Sequence, residues 1–233
     1  MKKTAFLLAA VCVGSMLNAA IPAPLADVTF TGGDLKALKD AAGKSKVVPG
    51  RPAEISWADE NGEKVIFFNG DGKVPHSAIN VFAPAEFDCS KPWTVTLKVK
   101  VPADVKNNVR NQLCQYGYGA DKVNGFSIYL FNRTIHCRYG YDSKTTVSGN
   151  NKIEPIQPDT WVDIAVVHDG KSIALYINGK LVSNPNNAVV PKTKNSFSIG
   201  ATASDRGYQF KGMVKSFKLY NQALTAEEVA TLK

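Results

Sequence analysis

Residues 161–180 read WVDIAVVHDGKSIALYINGK, two alternating runs around Asp169-Gly170. An Asp-Gly pair between such runs is a strong signal for a two-residue hairpin turn. A turn closing there sets His168 opposite Lys171 and pairs Val166 with Ile173, Ile164 with Leu175 and Val162 with Ile177. Those three pairs form one unbroken apolar face. The other face takes Val167–Ser172, Ala165–Ala174, Asp163–Tyr176 and Trp161–Asn178. A one-residue slip would exchange the faces, so the clean partition specifies a β-hairpin with one side on a core.

The same reading extends upstream. GFSIYLFNRTIHCRYGY (125–141) folds as a hairpin about Asn132-Arg133, pairing Leu130 with Ile135, Ile128 with Cys137 and Phe126 with Tyr139 toward the core. Its outer face then carries Phe131–Thr134, Tyr129–His136 and Ser127–Arg138. In PWTVTLKVKV (92–101), Trp93, Val95, Leu97, Val99 and Val101 alternate with Thr94, Thr96, Lys98 and Lys100, the pattern of a half-buried strand. Asn61-Gly62 centres another hairpin, a second turn falls at NGDG (69–72), and SAINVF (77–82) is a further strand.

Two segments read as helical. GGDLKALKDAAGK (32–44) predicts a short amphipathic helix with Leu35 and Leu38 three apart and Gly43 at its end. Leu224-Thr225-x-x-Glu228-Val229 is a capping box with a hydrophobic staple, so a helix starts at Thr225 and docks Val229 and Leu232 on the strands. Strands, turns and two short helices predict an all-β fold, a two-sheet antiparallel jelly-roll sandwich with a short N-terminal helix and a C-terminal helix.

The first twenty residues stand apart. Lys2 and Lys3, the apolar run AFLLAAVCVGSML and the small residues NAA at 18–20 have the layout of a secretory signal peptide. Val11 before Cys12 does not suit a lipoprotein site. The organisation predicted is a signal peptide over 1–20 and a single domain over 21–233, with a secreted, periplasmic or cell-surface address. The apolar run is shorter than the roughly 20 residues that span a bilayer, and no later stretch approaches it, so no integral membrane segment is expected.

Loss of Lys2 and Lys3 lowers the formal charge from +8 to +6. The remaining lysines are scattered rather than blocked, which with export argues against nucleic acid as a partner. Cys89, Cys114 and Cys137 remain, an odd number in a compartment that permits disulfides. If strands 109–117 and 134–141 both flank 125–131, Cys114 and Cys137 lie about 9–10 Å apart, too far to bridge. A pair involving Cys89 is geometrically freer.

The C-terminal two-thirds resembles the laminin-G-like jelly roll of the concanavalin A-like lectin/glucanase superfamily. The resemblance rests on WVDIAVVHDGKSIALYING (161–179), FSIG (197–200) and FKGMVKSFKLYNQALTAEEVATL (210–232), with FFNGDG and KPWTVTLKVKV upstream. It spans about 65–232. It departs from the family pattern at Lys215-Ser216, where an acidic pair is usual, and at Asn178, which replaces Asp. Some relatives bind calcium at the sheet rim. The missing acids weaken that expectation here, although Asn69 and Asp71 could supply oxygens. A turn rich in Asn, Asp and Gly also has backbone reasons to exist, and no cofactor is predicted.

The resemblance implies a non-catalytic carbohydrate-binding or adhesive module whose partner is a glycan. Ser127, Tyr129, His136 and Arg138 are the candidate ligand-binding residues, because aromatic rings meet sugar C–H faces while Arg, His and Ser supply hydrogen bonds. Tyr116, with Tyr118, on the preceding strand extends the set. Such cross-strand pairs also stabilise a sheet with no ligand at all. Tyr129, His136 and Arg138 resemble in composition the proton-transfer set of jelly-roll polysaccharide lyases. The other motifs of that family are absent. Acids gather at turns (Asp59, Glu60 and Glu63), which does not suit the paired carboxylates of a glycosidase. The alternatives are a polysaccharide lyase or glycoside hydrolase acting on acidic glycans, and a protein–protein interaction or structural role at the surface.

Overall fold

The computed structural model describes residues 20–50, 55–70, 77–117, 125–141, 144–148, 153–183, 196–202 and 208–232. Among the described residues the strands are β1 (Ala26–Thr29), β2 (Val47–Pro49), β3 (Ile55–Glu60), β4 (Glu63–Asn69), β5 (Ile79–Phe82), β6 (Trp93–Lys100), β7 (Asn111–Tyr116), β8 (Gly125–Phe131), β9 (Thr134–Tyr141), β10 (Lys144–Ser148), β11 (Trp161–His168), β12 (Ile173–Ile177), β13 (Lys180–Ser183), β14 (Ser196–Ile199) and β15 (Lys211–Tyr220). A short α-helix, α1 (Ala226–Thr231), follows β15. The strands form two antiparallel sheets, one in the order β13-β12-β11-β6-β15-β4-β3 and the other β10-β9-β8-β7-β14-β5-β2. Strand β15 is long enough to pair with β4 by its first half and with β1 by its second. This is the expected jelly-roll sandwich.

The core lies where the alternation put it. Trp93, Val95, Leu97, Val99 and Val101 are all buried, as are Phe126, Ile128 and Leu130 from the facing sheet. Trp93 of β6 stacks on Phe126 of β8 with centroids 4.3 Å apart, joining the two layers. Phe197 of β14 meets Phe217 of β15 at 5.0 Å in the same way. Gly200 has φ +88°, and a side chain there would overlap the Phe68 ring, so the glycine of FSIG serves both turn and packing.

The β8–β9 hairpin has the register read from its sequence, Phe131↔Thr134 through Phe126↔Tyr139. Asn132 and Arg133 both have positive φ, 49° and 61°, the geometry of a tight type I′ turn. Asn61-Gly62 does the same between β3 and β4, where Glu60 faces Glu63.

The β11–β12 register differs from the expected one by two residues: His168 pairs with Ile173, Val166 with Leu175 and Ile164 with Ile177. The Asp169 carboxylate accepts from the Lys171 and Ser172 backbone N–H groups and the Ser172 hydroxyl, which stabilises a four-residue loop over the two-residue turn. A shift of two keeps every side chain on its face, so the apolar partition stands.

The N-terminal segment departs further from expectation. Only a single 3-10 turn, Leu35–Ala37, forms where an amphipathic helix was predicted. Asp40 is buried, and its carboxylate accepts backbone N–H groups from Asp27 (2.6 Å), Ala42 (3.0 Å), Lys44 (2.9 Å) and Ser45 (2.8 Å). Four bonds to a charged acceptor outweigh the weak helix propensity of the segment.

The C-terminal capping box is present in full: Glu228 N donates to Thr225 Oγ1, and Thr225 N to Glu228 Oε2. Val229 and Leu224 join Ala165, Val167, Tyr176 and Tyr220 in a second apolar cluster on the outer face of the β6–β15 sheet. That face is otherwise laced with ion pairs, Lys98–Asp163, Lys100–Glu60, Lys215–Glu63 and Lys218–Asp27. No helix among the described residues is long and apolar enough to cross a membrane. The leader-like residues 1–19 lie outside the described residues.

Candidate functional site

The outer face of the β7–β8–β9 sheet gathers the chemistry. Tyr129 pairs with His136 across β8 and β9, and their rings stack at 5.2 Å with planes 12° apart. Phe131, exposed, meets His136 edge-on at 6.4 Å. From the β7 side, the Arg110 guanidinium carbon sits 4.2 Å over the Tyr129 ring and 5.2 Å from the Tyr208 ring. Arg138 shares the face and stands opposite Ser127. The result is a row of flat groups, His136, Tyr129, Arg110 and Tyr208, standing side by side across the strands.

Beneath the row is a buried polar layer. Ser127 and Gln112 are fully buried and bonded to each other, and Gln112 Nε2 also donates to the carbonyls of Cys114 (2.6 Å) and Ile128 (2.9 Å). Arg110 Nη2 donates to Gln112 Oε1 at 2.8 Å and to the Ser127 hydroxyl. Burial lowers the Arg110 pKa below the usual guanidinium value, and the Arg138 charge lowers it further. Burial likewise raises the Tyr129 phenol above its ordinary value, against the pull of the Arg110 and Arg138 charges. Tyr129 is therefore a neutral hydroxyl at physiological pH, a hydrogen-bond donor rather than a ready base.

The structure brings Tyr129, His136 and Arg138 together at the half-exposed surface but sorts the other candidates differently. Ser127 lies on the expected face yet is wholly buried, a support for Arg110 rather than a ligand contact. Tyr116 is 1% exposed and packs in the core against Phe87, Phe126 and Phe197. The cause is a register shift in β7 between Gln112 and Cys114: Gln112 pairs with outward Tyr129, while Cys114 and Tyr116 pair with inward Ile128 and Phe126. A bulge lets residues of the same parity point to opposite faces. Tyr118 lies outside the described residues.

Arg110 and Gln112 were not among the residues singled out from the sequence. Simple alternation groups them with Tyr116 on one face, and the bulge divides that group, leaving Arg110 and Gln112 outward and turning Tyr116 in.

Asn69 donates its side-chain amide to Ser56, nearby Asp104 is taken by Lys211, and Asp71 lies outside the described residues. No group of three His, Cys, Asp or Glu side chains suited to a metal occurs among the described residues. At the two departures from the family pattern, Lys215 pairs with Glu63, while Asn178 adopts φ 49° and accepts from Asp163 N at 2.9 Å. Both are turn or surface roles.

No curated protein sequence matches the chain. Among solved structures, the botulinum neurotoxin serotype G binding domain superposes with a TM-score of 0.67 at 13% identity, over 90% of this chain and 50% of that one. The binding domain of Paraclostridial Mosquitocidal Protein 1 gives 0.65 at 16%, over 88% and 51%. The botulinum neurotoxin serotype D ligand-binding domain, solved in complex with N-acetylneuraminic acid, gives 0.63 at 13%, over 89% and 49%. The chain thus spans about half the length of each, and at these identities the likeness is one of fold. A family model described as the concanavalin A-like lectin/glucanases superfamily matches residues 69–230, most of the chain, and with the sandwich, the FSIG turn and the capped C-terminal helix in place, this protein belongs to that family.

Proposed function

We propose that this protein is an exported, non-catalytic glycan-binding module, and that its site is the outer face of β7, β8 and β9. The observation that carries the reading is the row His136–Tyr129–Arg110, flat rings and a guanidinium set edge-up on a buried polar layer. Such a row offers hydroxyl, imidazole and guanidinium donors at its rim, and exposed Phe131 adds an apolar plate for a sugar C–H face. That a domain of like fold is solved with N-acetylneuraminic acid supports this. Export is supported by the signal-peptide layout of residues 1–20.

A lyase is the weaker reading, because its tyrosine base needs a lowered pKa and that of Tyr129 is raised. The test is a glycan-array screen of the purified chain, with and without calcium, beside a Tyr129→Ala/Arg138→Ala double variant. Glycan binding by the wild type that the folded variant loses supports the reading. Absence of any glycan binding in either condition overturns it in favour of a protein partner.

A further inference from the structure

Resting on that reading, we propose that the ligand carries an anionic substituent, a carboxylate or a sulfate, and that Arg110 holds it. Among the described residues, seven lysines have a carboxylate partner. On the opposite sheet Lys98, Lys100, Lys215 and Lys218 each face a carboxylate, and Lys44, Lys64 and Lys211 do so at the edges and rim. Arg110 has neutral partners instead: two tyrosine rings, an amide and a hydroxyl.

Both Nη2 protons are committed to Gln112 and Ser127, Nε is buried without a hydrogen bond, and among the described residues nothing bonds to Nη1. A partly buried cation without a counter-charge is costly, and the two rings offset only part of that cost. An arriving anion completes the set with charge-assisted hydrogen bonds. Gln112 is itself anchored to two carbonyls, so the guanidinium is held in place before the ligand arrives. Arg138, on the same face, adds to the positive field.

The test uses immobilised oligosaccharides in matched neutral, carboxylated and sulfated forms. The probes are wild type, Arg110→Gln, Arg110→Lys and Lys171→Gln, the last removing an equal charge from an exposed loop. The wild type is expected to bind an anionic form on the order of tenfold or more tighter than its neutral parent. The carboxylated and sulfated arms show which anion is held.

Arg110→Gln should lose that margin and Lys171→Gln keep it. If Arg110→Gln does not fold, Arg110→Lys carries the test, because lysine keeps the charge but not the paired bonds to Gln112 and Ser127, and the margin should shrink several-fold. Equal binding of neutral and anionic forms, or an unchanged margin in the folded Arg110 variants, overturns the inference and leaves glycan binding standing. Binding of no form by the wild type removes the glycan reading and this inference with it.

Discussion

The guanidinium of Arg110 lies 4.2 Å over the ring of Tyr129, and His136 stacks on that ring from the opposite strand. Both faces of Tyr129 are therefore occupied, and its hydroxyl edge is what remains for a ligand. Tyr129→Phe should keep the stack and most of the stability. Tyr129→Ala should lose about 1–3 kcal/mol through lost ring contacts and a loosened Arg110. Urea denaturation of the two variants checks this, and equal losses would mean that the stack contributes little.

Thr94 shows how the C-terminal helix is fastened. Although it sits on the outer face of β6 it is fully buried, because its hydroxyl donates to Gln222 O and accepts from Leu224 N, each at 2.9 Å. Thr94→Val keeps the shape but leaves a buried N–H without its acceptor. A loss of about 1–3 kcal/mol is expected, with faster amide exchange over residues 224–231. Unchanged exchange there would show the helix held by Val229 packing alone.

The buried thiols make stability fall at alkaline pH. Cys114 and Cys137 each pair with Ile128, on opposite sides of β8, and both are free and buried. Burial pushes Cys137 up to about 12, and Cys114 is also raised. Between about pH 9 and 12 the unfolded chain sheds these protons while the folded chain keeps them, so stability drops as pH rises, by up to about 1.4 kcal/mol per pH unit per thiol. A Cys114→Ala/Cys137→Ala variant should show a shallower decline in urea titrations from pH 8 to 11. Identical slopes would refute the account.

Asp40 accounts for the missing N-terminal helix. Asp40→Asn leaves one acceptor oxygen and turns an amide N–H₂ toward backbone donors, so a loss of about 1–3 kcal/mol is expected by thermal or urea unfolding. A neutral outcome would contradict the role given to the carboxylate. The sequence shows Asp40 and the Leu35–Leu38 spacing equally well. What it does not show is that the Asp27 N–H, from a strand 13 residues upstream, joins those of Ala42, Lys44 and Ser45 on that carboxylate.

The same division holds across the molecule. Trp93 through Val101, the Asn132-Arg133 turn and the Thr225–Glu228 box were legible because each is a local pattern with one low-energy solution. The β11–β12 faces were legible as well, but their register was not, because the side chain of Asp169 selected the loop. At the site, Tyr129 and His136 followed from the hairpin. The inward turn of Tyr116, which separates it from outward Arg110, depends on a bulge near Leu113 that alternation does not reveal. Non-local choices of this kind decide which aromatic becomes core and which becomes surface.

The central claim is that the outer face of β7, β8 and β9 is where this protein meets a sugar. Backbone amide NMR of the chain titrated with D-glucuronate tests it most directly. The account expects saturable shifts clustered at residues 110–112, 127–131 and 134–138. Shifts gathered instead around Lys98, Asp163 and Lys218 on the opposite sheet, or no saturable shift at any residue, would contradict it.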